Sequence, residues 1–195
     1  MRKFLPALAG LVALSLPFPT LAQAVASPPP PPPAPQRPPC SGPKFKQLDF
    51  WVGDWDLEFD QPDGAVGRAS NRITRDEFGL CAVVEHFVQP GGGPGGGDYI
   101  GSSFSTYDPQ LRVWRQMWVD NGGGMFVLIG GPVEGQPYIF ELVTTEPRGD
   151  DAHAPALARM IWEQVTPDSL VWRWQKGNAD GTWSDSWVLR YKRRK

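Results

Sequence analysis

The chain has 195 residues, 41% of them hydrophobic, with nine tryptophans, two cysteines, two histidines and a formal net charge of −2. That length and composition suit one folded domain with an apolar interior. Without a basic stripe of interleaved aromatics, no nucleic-acid partner is expected, and the single basic run, residues 192–195, reads as a solubilising end to a terminal strand.

In chain order, Arg2 and Lys3 precede an apolar run at 4–21 that ends in Ala22-Gln23-Ala24. This is the pattern of a cleaved signal peptide, residues 1–24, with the mature chain starting at Val25. Only Arg2 and Lys3 are charged in that segment, so its removal takes the formal charge from −2 to −4. Pro6, Pro17 and Pro19 break a run already short for a membrane span, and no cysteine follows the cleavage point to carry lipid. The expectation is a periplasmic or secreted protein with no membrane association after cleavage. Residues 25–44 form a proline-rich linker, which cannot donate the hydrogen bonds of helix or sheet and runs as an extended spacer.

The domain is expected at 45–195. An even pair of cysteines in an exported chain predicts one disulfide, Cys40 to Cys81. Neither C-x-x-C nor H-x-x-x-H spacing occurs, so no metal site is predicted.

Period-two alternation dominates along the domain, broken by turn residues every eight to twelve positions, which predicts an all-β antiparallel barrel or sandwich. Trp55, Leu57 and Phe59 alternate with Asp56 and Glu58 before the turn Pro62-Asp63-Gly64. Weaker strands read at 71–75, 80–88, 99–107, 125–130, 138–144 and 159–165. Trp114, Gln116, Trp118 and Asp120 share a face, as do Leu170, Trp172 and Trp174; Trp183, Asp185, Trp187, Leu189 and Tyr191 alternate to the C-terminus. The glycine-rich stretch 90–98 lacks the Lys-Ser/Thr of a phosphate loop and reads as a flexible hairpin connection.

The order Asp49-Phe50-Trp51-Val52-Gly53-Asp54-Trp55, then Asn71-Arg72-Ile73, Cys81 with Glu85, Gly101-Ser102-Ser103, Trp114-Arg115-Gln116-Met117-Trp118-Val119-Asp120 and Asp180-Gly181-Thr182-Trp183 resembles a widespread uncharacterised family of exported bacterial proteins. Those proteins are similar to calycin-type barrels, the group of lipocalins, fatty-acid-binding proteins and nitrobindins. The resemblance implies an up-and-down barrel of about 8 to 10 strands and no established activity. It also implies that Gly53 and Trp55 plug one end of the barrel. The glycine-rich loop and residues 149–155 depart from the family pattern.

Small closed barrels either fill with side chains or keep one ligand-sized cavity. Candidate ligand-binding residues are the polar groups on tryptophan-bearing faces and their neighbours: Glu85, Ser103, Trp114, Gln116, Trp118, Asp120, Arg159 and Trp174. An arginine with carboxylates and an amide suits the polar head of a small amphipathic acid or aromatic compound. Three classes follow: a small-molecule binding protein; an isomerase- or cyclase-type enzyme with Glu85 or Asp120 as acid/base; and a structural barrel with a filled core. A haem protein of the nitrobindin type is disfavoured, since no histidine follows His153 and His86 has the opposite parity to Glu85, so no cofactor is expected. Nothing in the sequence specifies an oligomeric state.

Overall fold

A computed structural model describes residues 38–75, 77–144, 158–178 and 180–195. The expected signal peptide, most of the proline-rich linker, His153 and the 149–155 segment lie outside the described residues. The strands are β1 (Gly53–Asp60), β2 (Val66–Thr74), β3 (Ala82–Gln89), β4 (Tyr99–Asp108), β5 (Val113–Asp120), β6 (Met125–Val133), β7 (Gln136–Thr144), β8 (Ala158–Glu163), β9 (Ser169–Gly177) and β10 (Trp183–Arg193). Each pairs antiparallel with the next, and β10 pairs back onto β1, giving a closed up-and-down barrel of ten strands. Closure pairs both margins of every strand and leaves no edge.

The alternation seen in the sequence becomes inside and outside. In β1, Trp55, Leu57 and Phe59 are buried while Asp56, Glu58 and Asp60 face solvent. Tight turns join the strands through their own side chains: Asp63 Oδ1 accepts from the Ala65 N–H at 3.0 Å, and Asp108 Oδ1 from the N–H groups of Gln110 at 2.9 Å and Leu111 at 3.0 Å. The glycine-rich connection between β3 and β4 is pinned by similar bonds. Asp98 Oδ1 accepts from the Gly91 N–H at 3.2 Å, and the Asn121 side chain donates to the Asp98 carbonyl at 2.8 Å.

One end of the barrel is sealed. Leu48 and Trp51, at the two ends of the 3₁₀ turn Asp49–Trp51, lie within the core there, with Trp51 edge-on to Trp162 at 5.1 Å between ring centroids. The Trp55 indole N–H donates to the Trp51 carbonyl at 2.8 Å. The plug expected of Gly53 and Trp55 is therefore a joint structure: Trp51 fills the opening and Trp55, in the wall, holds it. Arg193 locks both, its guanidinium 4.0 Å from the Trp55 ring and donating to the carbonyls of Val52 at 2.7 Å, Phe50 at 3.1 Å and Pro167 at 2.6 Å. Gly53, at φ 141°, leaves room for this; a Cβ there would stand 2.1 Å from Arg193 Nη1. The basic C-terminal run is thus partly structural rather than merely solubilising. The disulfide Cys40–Cys81 closes at the same end, just before β3.

β10 departs from simple alternation. Asp185 pairs with Gln175 and Trp187 with Trp174, so two steps on β10 match one on β9 and Ser186 is a bulge. Trp187, Leu189 and Tyr191 face inward as expected, but Trp183 and Asp185 are turned to the outer wall.

Candidate functional site

The opposite end of the barrel is hollow. A cavity of about 180 Å³ lies there, reaching from the ends of β3 to β6 down to Glu85 and Tyr191. It is smaller than the roughly 300 to 1,000 Å³ of drug-sized sites, yet room for several waters at about 30 Å³ each. Its walls are aromatic because β3, β5, β6, β9 and β10 each turn rings inward at this height. Six of those rings form an unbroken girdle, with centroid distances of 6.3 Å for Trp118–Phe126, 5.2 Å for Phe126–Trp174, 6.3 Å for Trp174–Trp172, 6.0 Å for Trp172–Trp187, 5.6 Å for Trp187–Phe87 and 6.3 Å for Phe87–Trp118. Gly101 makes this possible on β4, since a Cβ at that position would stand 2.0 Å from the Trp118 ring.

Below the girdle is a buried carboxyl. Glu85 Oε1 accepts from Asn71 Nδ2 at 2.6 Å and Oε2 from the Ser103 hydroxyl at 2.6 Å. Asn71 also donates to the Tyr191 hydroxyl at 3.0 Å, and Gln116 Nε2 to the hydroxyls of Ser103 at 3.1 Å and Ser105 at 2.9 Å. The polar wall is thus one connected network across β2 to β5 and β10. Burial pushes the Glu85 carboxyl up to about 7, against the pull of the Ser103 and Asn71 bonds, because desolvation disfavours the charged form. Burial likewise raises the Tyr191 hydroxyl well above its usual range, with the Glu85 charge acting in the same direction. Asn71 Oδ1 and Gln116 Oε1 are buried without a hydrogen-bond partner.

Asp120, at the rim, is built differently. Its Oδ2 accepts from the Tyr99 hydroxyl and the Trp118 indole, each at 2.9 Å, and Oδ1 from the N–H groups of Gly122 at 2.8 Å and Gly124 at 2.9 Å. Partial burial pushes this carboxyl up, but the four donors together outweigh it and hold it below the ordinary carboxylate range. Asp120 stays ionised and fastens the β5–β6 turn to the girdle.

Of the eight residues singled out from the sequence, Glu85, Trp118, Asp120 and Trp174 line the cavity. Ser103 and Gln116 are fully buried beneath it, and they act on Glu85 rather than facing the space. Trp114 belongs to the sealed end, where its indole donates to Gln47 Oε1 at 3.1 Å and its ring packs on Phe140. Arg159 is corrected outright: it lies on the outer wall, paired with Glu141 at 2.5 Å and Gln175 at 2.8 Å, with its guanidinium 4.2 Å from the Trp183 ring. Met160 and Trp162 are the inward residues of β8. His86 also faces out, exposed and near the Ser102 hydroxyl at 3.3 Å. The sequence reading missed Asn71 and Tyr191 as Glu85's neighbours, although Asn71 stood in the family pattern and Tyr191 in the alternation of the last strand.

A closed ten-stranded antiparallel barrel, sealed at one end and hollow at the other, defines the class of protein. Within that class the chain belongs to the family described as "Protein of unknown function (DUF1579)", whose model matches residues 41–193. No curated protein matches the chain.

Proposed function

We propose that this protein is an exported, calycin-like binding protein that holds one small organic molecule in the hollow end of its barrel. The observation that carries this reading is the aromatic girdle closed above a buried, network-held carboxyl. A core meant only to be filled would gain nothing from an ionisable side chain there, since burying the Glu85 carboxyl is costly even with its two hydrogen bonds. The disulfide supports export, because such bonds persist in oxidising compartments. No helix among the described residues is long and apolar enough to cross a membrane.

Binding is tested by tryptophan emission and thermal shift against a panel of small compounds. Four of the nine tryptophans line the cavity, so a bound molecule should change emission saturably. Trp174→Ala should weaken binding by about 1 to 3 kcal/mol through lost contact area, while Arg159→Ala on the outer wall should leave affinity unchanged. A panel that moves neither signal would defeat the reading.

A second reading rests on Glu85 alone, whose carboxyl at about 7 suits a general base at neutral pH. Asp120 is the poorer candidate, its lone pairs being committed to four donors. Turnover of a panel compound that is lost in Glu85→Gln and kept in Asp120→Asn would favour an enzyme.

A further inference from the structure

The chemistry of the cavity narrows the ligand class, taking the binding reading above as its premise. Among the described residues the lining carries two carboxyl groups, Glu85 and Asp120, and no lysine, arginine or histidine. The arginines of the girdle strands are spent elsewhere: Arg115 pairs with Asp108, Arg173 with Glu163 at 2.5 Å and with Asp185, and Arg190 with Asp60, while Arg193 holds the sealed end. An anionic ligand would enter a low-dielectric space with no counter-charge and meet carboxyl groups, at a prohibitive desolvation cost. A neutral apolar ligand would gain from the rings but leave Glu85 unused. A cation gains from both, because the faces of aromatic rings, tryptophan above all, attract positive charge, and six rings encircle this space.

We infer that the ligand is a small organic cation, an alkylammonium or protonated amine, held with its charge toward the Glu85 carboxylate and its carbon substituents against the indole girdle. This reverses the organic acid expected when Arg159 was read as facing inward. Asp120 contributes a fixed negative charge at the rim. Glu85 contributes the proton-linked one: each of its oxygens accepts one hydrogen bond from the protein and keeps a lone pair for the ligand. The titratable groups that share the cavity lining with Glu85 are Tyr191 from β10, Tyr99 from β4 and, at the rim, Asp120 from β5; Tyr191 stays protonated and Asp120 ionised across the neutral range. Cation uptake therefore favours ionised Glu85 and releases its proton. Affinity should rise with pH up to about 7 and level off above it.

The experiment uses three probes of nearly one shape: tetramethylammonium, the uncharged tert-butanol and the anion pivalate. Binding to the mature protein is followed by tryptophan emission across pH 6 to 8. The expected result is saturable binding of tetramethylammonium, roughly tenfold or more tighter than tert-butanol, with pivalate weakest. Glu85→Gln keeps the shape and removes the charge, its amide nitrogen now donating where a carboxylate oxygen accepted, and should weaken the cation much more than tert-butanol and flatten the cation's pH profile. If tert-butanol or pivalate binds as well as the cation, or the cation's pH profile is unchanged in Glu85→Gln, the cup stands as a binding site and the cation assignment falls. If no probe, and no compound of the wider panel, alters emission or melting, the binding reading itself falls and this inference with it.

Discussion

At the scale of single residues, Glu85 couples stability to pH. Its carboxyl is raised from an ordinary 4.5 to about 7, so the folded state holds a proton that the unfolded chain releases between those values. The sign follows from linkage. The contribution is fully present below about 4.5, declines as pH rises, and is exhausted above about 7, for a total on the order of 3 kcal/mol. Asp120, Asp108 and Asp180 are held below their ordinary range and act oppositely in acid, so the difference between wild type and Glu85→Gln is the quantity to follow. Melting curves from pH 4.5 to 8 should show wild type losing ground to the variant as pH rises; parallel curves would contradict the assignment. Gly101 makes a second residue-level prediction. In Gly101→Ala the new methyl stands where the Trp118 ring lies, and the ring must swing toward the cavity. The overpacking should cost about 1 to 3 kcal/mol, and the narrowed cup should lose affinity for any ligand that fills it. Unchanged melting and unchanged binding would show that the wall yields instead.

At the scale of elements, the sealed end depends on one side chain from the last strand. Arg193 satisfies three carbonyls from two separate segments and covers Trp55, so Arg193→Ala leaves carbonyls of the Asp49–Trp51 turn region without donors. The expected loss is about 2 to 3 kcal/mol, a fall in Tm of several degrees, and Arg193→Lys should recover only part because a single ammonium cannot span the same acceptors. Full recovery by lysine would mean that charge, not geometry, holds the seal. The strands themselves were legible in the sequence because one face of each is buried, and burial on one face enforces alternation. What alternation does not encode is which face is inside. Arg159 and Ile161 share parity, as Met160 and Trp162 do, and the second pair turned inward, which moved Arg159 from the cavity to the outer ladder. Nor does it register an inserted residue: Ser186 resets the parity of β10, leaving Trp183 outside although Trp187 is inside. Height along the barrel is equally invisible to period two, and for that reason Trp114 and Trp118, one face of one strand, belong to opposite ends.

At the scale of the whole molecule, the barrel and the disulfide divide the work of stability. The Cys40–Cys81 bridge spans 41 positions, for which the chain-entropy account gives about 4 kcal/mol, although the mechanism is model-dependent. Replacing both cysteines with serine should lower Tm by roughly 8 to 16 °C for a chain of this size. Ligand affinity should stay the same at temperatures where the variant is folded, because the bridge sits at the sealed end and the cavity at the other. An affinity loss in the serine variant would show that the two ends are coupled. Intact mass of exported protein tests the covalent state directly: the expected species starts at Val25 and carries no free thiol.

Cys40 also fixes which end of the barrel the preceding chain joins. The chain enters the barrel beside the sealed end, fastened there by the bond to Cys81, whereas the opening is ringed by Tyr99, Phe126 and Trp174 at the far ends of their strands. A support or partner held directly against the Cys40 side would therefore meet the sealed end and leave the mouth toward the bulk liquid. An attachment made through the β5–β6 turn, at residues 121–124, would instead lay the opening against the support.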